Sequence, residues 1–277
     1  VAGLLFGLAP ALQSTNPDIS TTLRGESAGG GRSRGASLRS ALVVGQVAVC
    51  VVLLTSAGLF LRSLDASSKV DPGFGHDPAG IISLVAPPDR YSEEEAGVVF
   101  QQLEERIGAL PGVRAVGLTG NLHLSLNTST VPVEVEGVAP PEGQPYHQVD
   151  VAAVDEGFLA AVGLPVLEGR NLVAEDEAGA DPVVLVNEAF ARRFFGRESA
   201  VGRTVRVSGA ETRIVGVVGT AKIRQLGEEP RPFLYRNHRQ AFTPFVTIVA
   251  RVGADAGRTM REMLETARKA QMQVWIE

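Results

Sequence analysis

The distribution of apolar positions divides the chain into regions of different physical character. Residues 41–61, ALVVGQVAVCVVLLTSAGLFL, carry no charged side chain, and their polar groups are limited to Gln46, Thr55, Ser56 and the thiol of Cys50. As a helix this run is about 31 Å long, close to the hydrocarbon thickness of a bilayer. A helix can cross that layer because it satisfies its own backbone N–H and C=O groups. A core helix of a soluble protein seldom stays apolar on every face for this length, so a transmembrane helix is expected. A cleaved signal peptide is disfavoured, because the run starts forty residues in and no Ala-x-Ala-like site follows a short core. Val47, Val51, Leu54 and Gly58, with Gln46 nearby, offer a face for a partner helix. Residues 1–12, VAGLLFGLAPAL, are apolar from the first position and lack an initiator Met. They are expected to be the end of a preceding transmembrane helix, which makes the chain a piece of something longer. Residues 13–40, centred on GESAGGGRSRG, are rich in small and polar residues and read as a flexible cytoplasmic linker.

Beyond the apolar run the pattern changes to short alternating and helical stretches. Residues 81–86 read as a strand, and Ser92-Glu93-Glu94-Glu95 is a capping box that opens a helix. That helix carries Val99, Phe100, Leu103 and Ile107 on one face and stops at Pro111-Gly112. Residues 113–119 form a second strand, completing a βαβ unit. Phe245, Thr247, Val249 and Arg251 alternate with apolar neighbours in another strand over 245–252. Asp255 caps a helix with Met260, Met263, Leu264 and Ala267 on one side, and residues 272–276 begin a further strand. The two βαβ units, at about 79–120 and 243–277, predict a ferredoxin-like split sheet in an α+β domain.

Between them an inserted lobe of about 130–225 has its own elements. Val131, Val133 and Val135 alternate with Pro132, Glu134 and Glu136 in a strand with one exposed face. Residues 155–162 predict a short helix ending at Gly163, with Asp155 as its cap. Residues 182–186 read as a buried strand, and Asn187 caps the helix EAFARRFF, which ends at Gly196. Residues 204–207 and 212–218, separated by SGAE, predict a hairpin. The expected architecture is therefore a transmembrane helix followed by a two-lobed extracytoplasmic domain at 62–277.

Charge orients this arrangement. The chain has 31 Asp and Glu against 26 Lys and Arg, a balance that disfavours nucleic acid as the main partner. Arg24, Arg32, Arg34 and Arg39 precede the apolar run against only Asp18 and Glu26. Past Asp65 the remaining 21 basic and 28 acidic residues leave a net charge of −7. The positive-inside rule puts the N-terminal side in the cytoplasm and the acidic body outside, with Arg62 a minor counterweight. A single cysteine, inside the apolar run, excludes disulfides and cysteine metal clusters. The outer domain must stand on its apolar core, for which roughly 210 residues suffice.

Candidate chemistry is sparse. His76, His123, His147 and His238 are scattered, with no i, i+4 pair and no H-E-x-x-H. Asp176, Glu177 and Asp181 around Gly179 lack the alternating ligands of an EF-hand and read as a solvated loop. Ser125, Ser129 and Thr130 fall in a polar loop with no placed base, and no G-x-S-x-G occurs. Asp150, Asp155 and Glu156 are conceivable paired carboxylates, but Asp155 is already assigned as a helix cap and no sugar-binding aromatics accompany them. No G-x-x-x-x-G-K-[ST] is present, so the Gly-rich linker is not a phosphate loop. No catalytic, cofactor-binding or metal residue is predicted, and no cofactor is expected.

Several stretches in order carry a resemblance. FGLAPALQSTNPDI, LRSALVVGQVAVCVVLLTSAGLFLRSL, DPGF, LPGVRAVGLTG, LEGRNL, DPVVLVNEAFARRFF and IVGVVG resemble permease subunits of MacB/FtsX-type ABC transporters, the large two-module permeases among them. The resemblance covers essentially the whole chain and implies that residues after 62 form a MacB-like periplasmic core domain. It further implies a bacterial inner-membrane protein whose outer domain moves as a partner ABC ATPase hydrolyses ATP, in export or mechanotransmission. Expected partners are that ATPase, other membrane helices of the same permease, the lipid bilayer, and a periplasmic adaptor or cargo protein. Gly169-Arg170, Asn187-Glu188 and Gly216-Val217-Val218 match motif positions and read first as structural. The alternative is a membrane-tethered extracytoplasmic binding or adaptor module without transport. A tethered hydrolase would need a triad or metal set, so the chain is not expected to be an enzyme.

Overall fold

The computed structural model describes residues 34–75, 77–125, 128–177, 179–253, 255–269 and 273–275. The expectations for residues 1–12 and for the linker up to residue 33, and the placement of His76, lie outside the described residues. The chain divides into two compact units, the division falling in sequence between Leu64 and Asp65.

In the first unit the apolar run is helical, within α1 (Arg34–Ser68). The helix begins before the run and continues past it, because Arg39, Arg62 and neighbouring Ser and Ala residues are compatible with helix once the apolar turns have nucleated it. Residues 34–40, read from their composition as linker, are therefore helical. Within α1, Ser40–Ser67 is the described segment long and apolar enough to cross a membrane. Its side chains are exposed on every side, with Leu54, Phe60 and Leu61 each more than three-fifths exposed. The Thr55 hydroxyl donates to the Val51 carbonyl, so this polar side chain is satisfied within the helix.

The second unit is a mixed helix and strand domain. Its first layer is a four-stranded antiparallel sheet in the order β11 (Gln273–Trp275), β1 (Ala79–Val85), β10 (Phe245–Val252), β2 (Val113–Thr119). Ile82, Leu84, Ile248 and Ala250 of one face pack under α2 (Glu93–Gly108) and α5 (Ala256–Lys269), meeting Phe100, Leu103, Ile107 and Met263. The Ser92 capping box forms as the sequence requires: its hydroxyl accepts from the Glu95 amide, and Glu95 accepts from the Ser92 amide. Asp255 accepts weakly from the Arg258 amide at the start of α5.

The inserted segment closes on itself. Strands β4 (His147–Val154), β3 (Ser129–Glu134), β7 (Thr204–Val207), β8 (Ala210–Val218), β6 (Val183–Asn187) and β9 (Phe233–Asn237) pair in that order. The ring shuts through a parallel ladder from Asp150–Phe233 to Val154–Asn237. Closure removes free edges, and the interior is filled by Val133, Val149, Val184, Ile214 and Leu234 with Phe190 and Phe194 of α4 (Glu188–Phe195). The run VVLVN is buried at every position because its alternate side chains face two cores. Val184 and Val186 point into the ring, whereas Val183 and Leu185 join an outer cluster with Phe158, Tyr235 and Val249. That outer cluster is where the ring meets the far face of the four-stranded sheet. The short β5 (Val166–Gly169) lies against the last residues of β8.

Three local readings need correction. Ser129 and Thr130 belong to β3 rather than to a loop, since Thr130 pairs with Asp150 and Val131 with Val149. The short helix is only α3 (Phe158–Val162), with Gly157 at its cap position; Asp155 sits one turn earlier and accepts from the Phe158 amide at 2.8 Å. Asp176 is buried, not solvated, for reasons given below.

Asn187 holds the ring to its plug. Its Oδ1 accepts from the amides of Phe190 at 2.9 Å and Phe233 at 3.0 Å, and its Nδ2 donates to the Arg231 carbonyl at 2.7 Å. Asn187→Ala removes a helix cap and strands buried amides, so it should cost about 2–4 kcal/mol in urea unfolding of the chain in detergent. A loss below about 0.5 kcal/mol would contradict this role.

Candidate functional site

The most concentrated chemistry lies beside the junction between the four-stranded sheet and the ring. The two are joined there by backbone bonds: Thr119 pairs with Val154, the Asp155 amide donates to Leu118, and the Gly120 amide donates to Ala153. A cleft of about 620 Å³ opens next to this seam, between α2 and the chain around His238 and Phe242. Val98, Phe100, Leu118 and Phe242 form its apolar wall, and Glu104, Asp155 and Arg239 its polar wall.

Glu104 lies one turn after Phe100 on α2, at the margin of the helix face that packs on the sheet. Gly157 leaves room for it: a Cβ there would collide with the Val116 carbonyl and stand 3.2 Å from Glu104 Oε1. Burial pushes the Glu104 carboxyl up to about 10, reinforced by the negative charge and hydrogen bond of Asp155 and by Glu156, against an opposing pull from Arg239. Asp155 is also raised, first by burial. The two carboxyls interact, and each is raised chiefly by burial. Arg239 donates to Glu156 at 3.1 Å, so the cleft's guanidinium is engaged with the third carboxylate. His238 stands edge-on to Phe100 and Phe242, and burial lowers its imidazole pKa.

The conceivable carboxylate trio of Asp150, Asp155 and Glu156 is thus split. Asp150 is buried in an ion pair with Arg224 at 2.6 Å and Arg231 at 3.0 Å, which clamps the segment between β8 and β9. Asp155 instead meets Glu104, a residue the sequence reading passed over. Its i, i+4 spacing from Phe100 was the available signal, since it puts a carboxylate at the edge of a packed face.

The histidines are dispersed. His123 is buried among Phe158, Phe233 and Tyr235, its Nε2 is 3.1 Å from the Tyr235 hydroxyl, and burial pushes its pKa down to about 4. His147 packs edge-on to Phe194 at the ring. No group of three or more His, Cys, Asp or Glu suited to a metal occurs among the described residues. Asp176 is withdrawn from the acidic loop by Arg170, which donates to both of its oxygens at 2.7 and 2.8 Å, and it also accepts from the Val173 amide.

Comparison with known proteins places this architecture. The model of the MacB-like periplasmic core domain matches residues 40–268. The chain belongs to that family. The macrolide export ATP-binding/permease protein MacB of Aggregatibacter actinomycetemcomitans is 25% identical over 126 residues, which is 46% of this chain and 18% of that protein. This chain therefore spans a minor part of its curated relative. Among solved structures, the periplasmic region of MacB from Actinobacillus actinomycetemcomitans is 15% identical with a TM-score of 0.48, covering 74% of this chain and 90% of that one. The extracellular domain of the noncanonic ABC-type transporter YknZ from Gram-positive bacteria is 15% identical with a TM-score of 0.45, covering 72% and 100%.

The family motif positions in this MacB-like domain have structural work. Gly169 turns at a positive φ of 73°, and Arg170 makes the pair with Asp176. Asn187 caps α4, and Glu188 pairs with Arg192 along it. Gly216 pairs with Leu185 on one side and Gly169 on the other; a Cβ there would collide with the Arg170 carbonyl. Val217 and Val218 are buried.

The Arg170 pair gives a pH-dependent prediction. The Arg170 hydrogen bonds hold the Asp176 carboxyl below its ordinary range. Its contribution is therefore present above about pH 4 and is lost as pH falls through the lowered value. Asp176→Asn should lower stability by about 1–3 kcal/mol at pH 7. The gap from the parent should close toward pH 3 in thermal unfolding; a gap independent of pH would refute the ionic account.

Proposed function

We propose that the chain is the membrane-anchored extracytoplasmic part of a MacB/FtsX-type ABC transporter permease, coupling ATP hydrolysis by a partner ATPase to movements of its outer domain. The observation that carries this reading is the family match over residues 40–268, which runs unbroken from the apolar helix into the two-lobed body. In this reading α1 anchors the chain in the bacterial inner membrane, and residues after 62 lie outside the cytoplasm. The arginines before the apolar run and the acidic body after it support that orientation.

The first lobe is read as a ferredoxin-like porter module. The strand order β11-β1-β10-β2 with α2 and α5 on one face supports this, and the ring of β3, β4 and β6–β9 is the inserted lobe. The outer domain works by displacement rather than by chemistry of its own. Its partners are the ATPase, further helices of the permease, and a periplasmic adaptor or cargo protein. The cleft beside the β2–β4 seam supplies a surface whose width responds to relative motion of the lobes.

Val98 is half exposed at the rim of that cleft and gives the reporter. In cells expressing the full reading frame with its ATPase, Cys50→Ser combined with Val98→Cys should react with an impermeant maleimide without lysis. Trapping the ATPase with vanadate should change the labelling rate several-fold. Reaction only after lysis would refute the orientation. A rate indifferent to nucleotide would refute coupling and favour a tethered adaptor that does not transport.

A further inference from the structure

We propose that Glu104 and Asp155 share one proton in a buried site that ties helix α2 to the β4–α3 junction. The inference rests on the domain's geometry and does not require the transport reading.

The starting observation is an acceptor without a donor. Asp155 is more than nine-tenths buried and lines the cleft. Its Oδ1 accepts from the Phe158 amide, whereas its buried Oδ2 receives none of the protein's fixed N–H or O–H donors. The group beside it is the carboxyl of Glu104, 51 residues earlier, which lines the same cleft with its Oε1 3.2 Å from where a Cβ on Gly157 would lie and which interacts with Asp155. Two ionised carboxylates have acceptors only and cannot hydrogen-bond, so the contact exists only when one of them carries a proton. That proton supplies the missing donor.

No neighbouring charge replaces it. On α2, the cleft is faced by Glu93 and Glu94, from the first turn. The β4–α3 junction adds Glu156, and the chain before α4 adds Glu177, both acidic. After β9 come His238 and Arg239. The His238 Nε2 lies 3.3 Å from the Thr243 carbonyl, and Arg239 spends its charge-assisted bond on Glu156. The surroundings are acidic on balance, and one guanidinium does not neutralise three carboxylates.

The site also sits where it can matter mechanically. Asp155 donates its own amide to Leu118 in the seam between the lobes, and its carboxylate fixes the start of α3. Glu104 approaches from α2. Unfolding puts Glu104 into water and returns it to an ordinary carboxylate pKa, near 4.5, whereas in the folded chain it is held at about 10. Between those limits the folded chain holds one more proton than the unfolded one. The folded-to-unfolded ratio therefore falls by up to tenfold for each unit of rising pH. The contribution is complete below about pH 4.5 and fades as pH rises toward 10.

The test compares the parent with Glu104→Gln, whose amide keeps a donor toward Asp155 without titrating, in the full chain in detergent. Thermal midpoints are followed from pH 5 to 9, with hydrogen exchange of the Asp155 and Phe158 amides corrected for intrinsic rate. The parent should lose stability and amide protection as pH rises, by severalfold per unit in protection. Glu104→Gln should match it near pH 5, exceed it at pH 9, and show a flatter profile. Parallel profiles for the two proteins would overturn the proposal. A second measurement needs no variant: urea unfolding of the parent at pH 7.5 in weak buffer with an indicator dye should release about one proton per chain. Absence of release would overturn the proposal even if the variant failed to fold.

Discussion

Strand β4 cannot be assigned to one lobe, and the architecture of the domain follows from that sharing. One of its edges pairs with β3 and the other with β9, which shuts the ring. Its last residue, Val154, also reaches Thr119 at the end of β2, and the residues just beyond it exchange backbone bonds with Leu118 and Gly120. A closed ring can be fastened to a neighbouring sheet only where a strand runs past the ring's own ladder. Here that place is a few residues long. The apolar cluster of Phe158, Leu185, Tyr235 and Val249 supplies the rest of the attachment without directional bonds. A seam made of few backbone bonds and one apolar contact zone permits rotation about itself more readily than a continuous sheet would.

Much of this was legible from local pattern. The capping box at Ser92, the Asn187 cap, the αL glycine at 163 and the strand over 245–252 each depend on residues adjacent in sequence, where side-chain and backbone chemistry decide the conformation. The apolar helix was equally clear, since nothing but length and polarity is needed to recognise it. Closure of the ring was not legible. Phe233–Asn237 is a five-residue stretch with a tyrosine, an arginine and an asparagine, and its alternation is too short to stand out. It becomes a strand because Val151 and Val186 present free edges on either side, an effect of tertiary context that overrides local propensity.

The ionisable groups show the same division more sharply. Asp176 in the run AEDEAGAD looked like one carboxylate among several in water, because the sequence lists its neighbours along the chain and not the Arg170 side chain that returns to it. Asp150 likewise stands in a valine-rich strand, and its two arginines come from 74 and 81 residues away. In both cases a buried carboxylate is tolerated because a guanidinium supplies two directed donors, which offsets desolvation. The family motif residues LEGR and IVGVVG are structural too: Gly169 and Gly216 let β5 and β8 approach closely beside the Arg170 backbone.

Glu104 is the exception to that pattern, and the exception is informative. Every other deeply buried carboxylate discussed here is matched by a cation, while Asp155 is matched by a second acid. A sequence under pressure for stability alone has simple remedies, such as glutamine at 104, which would provide the donor permanently. A titratable pair at the seam exchanges some stability for a contact whose strength depends on pH. The seam's few backbone bonds and the acid pair beside it are then two parts of one joint. The first fixes where the lobes are joined, and the second makes the strength of that joint depend on the proton concentration around the domain.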